Sequence, residues 1–279
     1  MAPTEFDLAA AGTQLQALAW MPETPLQAGI VLVHGQGEHI GRYNHFADFF
    51  NERGFGVIGV DHVGHGHSPG KRGHIKSYND YLDACRAMLL AWKERAPNIP
   101  IFLYSQSMGG NIAANFLLRE KPAIAGAVLS SSWFQLAFDP PAIKVRLASL
   151  MQGIWPSYSE ANNLNADQLS RDPVVCEDYR HDPLVHDKIT AGAFFSIHEA
   201  GLYAMEHAAE LTVPTLVMHG TGDEITSCSA SETFAASAGP HATFQAWEGA
   251  FHELHNETNR GEVMAFAHTW MAGVLAAKG

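Results

Sequence analysis

Short apolar runs alternate with helical stretches along most of the chain. Residues 30–33, 56–60, 101–105, 126–130 and 215–220 read as short strands, and 243–247 alternates in the same sense. Helices are predicted over 43–53, 77–96, 109–120, 229–238 and 260–275. This order is the signature of an α/β protein, a mostly parallel sheet covered by helices on both faces. Between Ser132 and Glu210 the alternation stops. The expected division is therefore a core of residues 1–132 and 211–279 and a cap insert of residues 133–210. An insert between two core strands should sit over the C-terminal ends of the sheet, where open α/β sheets bind ligands. It carries Trp133, Phe134, Phe138, Ile143, Leu147, Leu150, Met151, Ile154 and Trp155, then a polar stretch with Asp172-Pro173 and Asp182-Pro183. Those apolar residues can pack the cap onto the core, and a small insert also has surplus apolar surface that an acyl chain could cover. Phe138, Leu147, Leu150 and Ile154 are the candidates for such an acyl route.

Candidate chemistry starts at the third strand-to-helix junction, Ile101-Phe-Leu-Tyr-Ser-Gln-Ser-Met-Gly-Gly-Asn111. A serine presented on a sharp turn needs very small residues two before and two after it, the G-x-S-x-G pattern. Here it reads Ser105-Gln106-Ser107-Met108-Gly109, with serine at the first glycine position. Serine is a weak nucleophile, so an imidazole must take its proton and a carboxylate must orient that imidazole. Both follow in the order serine, acid, histidine, each just beyond a strand. Asp223 follows 215–220, and His252 lies in the loop Glu248-Gly-Ala-Phe-His252 after 243–247. Singly, Asp223 suits a turn and His252 a surface loop; the three together make Ser107, Asp223 and His252 the candidate catalytic set.

The chain resembles the monoacylglycerol lipase and lysophospholipase group of serine hydrolases of the α/β-hydrolase fold. The residues that carry the resemblance are His34-Gly-Gln-Gly-Glu-His39 with Gly41-Arg42-Tyr43, Asp61-His-Val-Gly-His-Gly-His-Ser68, Arg72-Gly73-His74, the Ser107 turn, His219-Gly220 with Asp223, and His252-Glu-Leu-His-Asn-Glu257. They span nearly the whole chain. The departure is Ser105-Gln106, where the family usually has Gly-His. The resemblance implies ester hydrolysis through an acyl-enzyme, without a cofactor, on a small-molecule lipid ester such as a monoacylglycerol. A lysophospholipase, a broad carboxylesterase, a prolyl aminopeptidase and a non-catalytic ligand receptor remain open. Epoxide and haloalkane hydrolases are disfavoured, because they place a carboxylate at the turn.

Backbone N–H groups usually stabilise the oxyanion formed on an ester carbonyl. One donor should be Met108, after the serine; resemblance puts the other at Gln36, flanked by Gly35 and Gly37. The resemblance further implies a polar pocket for a glycerol moiety at Glu38, Arg42 and His255. Glu38 and Arg42, four apart, equally suit an ion pair bracing the loop.

At 279 residues, 47% hydrophobic and 16% charged, the chain can bury a full core. The net charge of −12 disfavours nucleic acid and anionic membrane surfaces as partners. No membrane-spanning run is visible and the N-terminus lacks the pattern of a signal peptide. The cap still allows transient contact with a lipid surface. Cys85, Cys176 and Cys228 are scattered, which favours free thiols and a cytoplasmic, reducing compartment. Oligomeric state is left open. Of sixteen histidines, two clusters suggest metal ligation, but neither fits. His252 and His255 stand three apart, not at the i, i+4 spacing of a zinc helix. The group His62, His65, His67 and His74 is threaded with Gly and Pro, as a turn-rich loop is. No metal is expected.

Overall fold

The computed structural model describes residues 2–138 and 154–277. Ile143, Leu147, Leu150 and Met151 lie outside the described residues.

The main sheet has eight strands in the order β1-β2-β4-β3-β5-β6-β9-β10. They are β1 (Thr4–Ala10), β2 (Thr13–Trp20), β3 (Ala28–Val33), β4 (Phe55–Val60), β5 (Ile101–Gln106), β6 (Gly126–Ser130), β9 (Thr215–Gly220) and β10 (Ala242–Trp247). From β4 to β10 every neighbour is parallel. Each predicted strand is present within a residue or two of its expected ends.

Continuous apolar runs arise because successive side chains face opposite layers, both buried. Val31 and Val33 enter one core with Leu103, Met88 and Ile112, while Ile30 and Leu32 enter the other with Phe46, Tyr104 and Val263. The first layer contains α2 (Asn79–Arg95), α3 (Met108–Glu120) and α6 (Cys228–Ala238); the second contains α1 (Asn44–Asn51) and α7 (Arg260–Ala276).

The N-terminal hairpin was not predicted. β2 pairs antiparallel with β4, and β1 pairs antiparallel with β2. Its signal is alternation: Leu15, Ala17 and Ala19 are buried while the residues between them are more exposed. Alanine makes that alternation faint.

Within 133–210 the described strands and α-helices are β7 (Ser159–Ala161), α4 (Pro173–His181), β8 (Lys188–Thr190) and α5 (Ala191–His207). Asp172 caps α4 by accepting from Val174 N, with Pro173 in the first turn. β7 and β8 form an antiparallel pair. Helix α5 lies along α3, with Ala193, Ile197 and Ala204 in the sheet's own core. Asn111 and Asn115 of α3 donate to the carbonyls of Ile197 and Ala200 at 3.0 and 2.9 Å.

Gly109 controls how closely α3 approaches β3. A Cβ there would stand 2.1 Å from the carbonyl oxygen of Val33, which neither backbone can relieve locally. Gly109→Ala is expected to destabilise the protein by about 1–3 kcal/mol through overpacking. The loss should appear as a lower urea midpoint with an unchanged slope; an unchanged midpoint would show that α3 can shift freely.

Candidate active site

Ser107 occupies the single residue between β5 and α3, at φ 56 and ψ −117. A non-glycine residue there is strained. Strand pairing and helix hydrogen bonds hold it: its N–H donates to Ser130 O at 2.9 Å, and its carbonyl accepts from Gly110, Asn111 and Trp133. Ser105 fits the glycine position of the pattern because its hydroxyl donates to Val128 O at 3.0 Å instead of standing unpaired in the core. Gln106 Nε2 donates to His252 O at 2.8 Å, tying the turn to the histidine loop.

Asp223 and His252 meet at the C-terminal ends of β9 and β10. His252 Nδ1 lies 2.8 Å from Asp223 Oδ2, and both side chains are buried. Asp223 also accepts from the N–H groups of Ile225 and Thr226 and from the Thr226 hydroxyl. Burial alone would raise this carboxyl. The charge interaction with His252 and the hydrogen bonds from His219 and His252 reverse that and hold it well below the carboxylate range. Burial works against protonating His252, yet Asp223, with Glu253 and Glu38 behind it, keeps the ring above its ordinary value of 6.5. A Nδ1–H fixed on Asp223 leaves Nε2 as the proton acceptor.

Ser107 and His252 line one cavity of about 480 Å³, with Gly35, Gln36, Glu38 and Gln106. Its remaining wall is largely apolar, including Trp133, Leu136, Phe138, Leu164, Phe194 and Ile225. Volume and lining are those of a small-molecule site. Phe138, a candidate for the acyl route, is among the residues lining this cavity. Ile154 is 72% exposed and does not line the cavity.

The loop after β3 approaches the turn closely: a Cβ on Gly35 would stand 3.3 Å from Ser107 Cβ. Gln36 is held by its side chain, with Nε2 donating to Lys188 O at 2.8 Å. Met108 begins α3, where a helix N–H has no intrahelical acceptor.

Glu38 accepts from Gly35 N at 2.6 Å, Tyr43 Oη at 2.8 Å and Arg42 Nη1 at 2.8 Å. Arg42 also makes a bidentate pair with Glu253 at 2.6 and 2.7 Å. Glu38 and Glu253 line the cavity; Arg42 and His255 are not among its lining residues. His255 is fully buried and stacks on Tyr43 at 4.5 Å. Burial pushes its imidazole down to about 3. Sequence reasoning missed Glu253, whose only local signal is its place beside His252, and it missed His219 as a partner of Asp223.

The second histidine cluster braces the floor of the site. His34 Nδ1 donates to Gly35 O at 2.8 Å, and its Nε2 accepts from His62 N at 3.0 Å. His62 and His65 pack against it, and His186 packs against His65. Among the described residues no three His, Cys, Asp or Glu side chains are arranged to hold a metal ion. Nor is any described helix long and apolar enough to cross a membrane.

Parallel β-strands, helices on both faces and a serine at the β5–α3 turn define an α/β-hydrolase. The chain belongs to the serine aminopeptidase, S33 family, whose profile matches residues 24–259. A monoacylglycerol lipase of Mycolicibacterium smegmatis is 31% identical over 268 residues, covering 95% of each chain. The solved Paleococcus ferrophilus monoacylglycerol lipase superposes with a TM-score of 0.85 at 30% identity, covering 94% of this chain and 100% of that one. An abhydrolase domain-containing protein of Dictyostelium discoideum is 30% identical over 260 residues, and the chain spans 27% of its length.

Acid should weaken the fold through this site. Burial lowers the pKa of His34, His45, His62, His65, His186 and His255 below 6.5. In the unfolded chain these rings protonate near 6.5, so below that pH the unfolded state binds more protons and stability falls. His252, raised above 6.5, opposes the trend, while His74 and His268, also lowered by burial, add to it. Denaturation at about pH 8, 6 and 5 should give successively smaller unfolding free energies. Equal values across that range would contradict the burial of neutral imidazoles.

Proposed function

We propose that the chain hydrolyses carboxylic esters of single-chain lipids, most plainly a monoacylglycerol to glycerol and a free fatty acid. The observation that carries this reading is one apolar cavity lined by a strained Ser107 and by His252, whose Nδ1 is bonded to a buried carboxylate. His252 Nε2 takes the Ser107 hydroxyl proton as Oγ attacks the ester carbonyl. The tetrahedral oxyanion lies against the backbone N–H groups of Gln36 and Met108. Collapse breaks the bond to the alkoxy oxygen, which leaves as the alcohol with the proton from His252. Water, deprotonated by the same ring, then frees the acid from Ser107. The acyl chain takes the apolar wall. We assign residues 133–210 as the insert that covers it, with Phe138 at the acyl route.

Glu38 and Glu253 are assigned to the alcohol side, with Arg42 and His255 acting from behind them. Two carboxylates and one guanidinium leave that wall with a formal excess of negative charge. Such a wall suits hydroxyl donors and repels a phosphate, which favours a neutral polyol over a lysophospholipid headgroup.

Ser107→Ala is expected to abolish turnover and fluorophosphonate labelling, with a kcat loss on the order of a millionfold if the three groups act as a unit. Asp223→Asn should remain folded and lose about ten-thousandfold. The acid limb of kcat/KM should lie above pH 6.5, the side to which His252 is shifted. Retention of activity by Ser107→Ala would remove the reading.

The substrate is tested with monoacylglycerol, lysophosphatidate and lysophosphatidylcholine of one acyl chain, beside a short aryl ester and a prolyl amide. Monoacylglycerol should exceed lysophosphatidate by roughly tenfold or more in kcat/KM, as expected for an unscreened charge clash at a partly buried site. Preference for the prolyl amide would instead assign the two carboxylates to an α-ammonium group.

A further inference from the structure

Asp223 receives a donor that the proposed proton transfer does not require. Its Oδ2 accepts from His252 Nδ1 at 2.8 Å, from the Thr226 hydroxyl at 2.9 Å and from His219 Nε2 at 3.0 Å. His219 lies near the end of β9, four residues before Asp223, and is fully buried. Its other nitrogen, Nδ1, is 2.8 Å from the hydroxyl of Ser231 on α6. An ionised carboxylate only accepts, so the proton belongs on Nε2 and the Ser231 hydroxyl donates to Nδ1. The whole chain Ser231–His219–Asp223–His252 is out of water, with a single arrangement of protons that satisfies every member.

We propose that His219 is a positioning residue of this site: its Nε2–H fixes the orientation of the Asp223 carboxylate and draws off part of the negative charge that faces His252. The inference rests on the proposed roles of Ser107, Asp223 and His252. A carboxylate oxygen shared by two imidazoles and a hydroxyl is a weaker acceptor toward each. That matters because His252 must be neutral to accept the serine proton. Several acids already press the ring toward its charged form: Asp223 from the loop after β9, Glu253 beside it, and Glu38 from the loop after β3. Arg42 pairs with both of the latter acids, and His255 is a further titratable neighbour of the ring. Cys228, at the start of α6, is the further titratable neighbour of Asp223. Of the two donors to Asp223 Oδ2 that take no part in the transfer, the Thr226 hydroxyl is shared with Ser131 O at 3.1 Å, whereas His219 is the imidazole, backed through its other nitrogen by Ser231.

The test compares the parent enzyme with His219→Gln and His219→Leu, using one ester substrate across the pH range. Glutamine places an amide N–H where Nε2–H stood; leucine fills the space without a donor. His219→Leu should lose roughly tenfold to a hundredfold in kcat, the worth of one hydrogen bond to a charged group. KM should be unchanged. Its acid limb of kcat/KM should move up by about half a pH unit or more, because His252 then faces a less shared carboxylate. His219→Gln should bring back both the limb and most of kcat. A purely structural role would lower activity without moving the limb, so a limb identical to the parent's in His219→Leu overturns the proposal. So does a glutamine variant no closer to the parent than leucine. If His219→Leu does not fold, Ser231→Ala takes its place: loss of the hydroxyl frees the His219 tautomer and should move the limb upward by a smaller step, and an unmoved limb again overturns the proposal. Ser107→Ala, assayed alongside, separates the two claims. Activity there means that the triad reading has failed; an inactive Ser107→Ala with unmoved His219 and Ser231 limbs means that only the positioning role has.

Discussion

A carboxylate buried away from water is stable only where donors replace the lost hydration, and Asp223 sets this condition for the whole C-terminal edge of the sheet. It receives backbone N–H groups from Ile225 and Thr226, a hydroxyl from Thr226, and ring nitrogens from His219 and His252. Satisfying it therefore fixes a loop, the end of β9 and the histidine loop beyond β10 at once. His252 is further anchored through its carbonyl by Gln106, one residue from Ser107. The geometry at the serine thus depends on a charge two side chains away.

A second buried charge group holds the opposite wall. Arg42 joins Glu38 from the loop after β3 to Glu253 beside His252, and Glu38 in turn accepts from Gly35 N. Removing one member of a buried network leaves the others unpaired, so its members hold their places together. The segment before β8 adds a third tie: His186 N donates to Gly37 O at 2.9 Å, and His39 pairs with Asp182 at 2.8 Å. The loop that approaches Ser107 is consequently held by the core on one side and by residues 182–188 on the other.

Much of this was legible in the sequence, element by element. Strands buried on both faces announce themselves as apolar runs, and Ser107 with Gly109 needs only local sterics to be read as a sharp turn. The hairpin of β1 and β2 escaped because its alternation is written in alanine and leucine, and because its role as an edge of the sheet depends on β4, whose residues come much later. Glu253 and His219 escaped for a related reason. Nothing in Glu253 itself says that its partner is Arg42, 211 residues earlier.

By itself, the sequence determined the alternation of strands and helices and the order serine, acid, histidine at strand ends, because hydrophobic period and turn sterics act within a few residues. Tertiary structure alone decided which charges neutralise one another. It gave Arg42 to two carboxylates, set His219 behind Asp223, withdrew His255 against Tyr43 and laid α5 along α3. Those choices are made where distant segments exclude water together. A buried polar group takes whichever partner the packing brings within about 3 Å, and spacing along the chain carries no record of that distance.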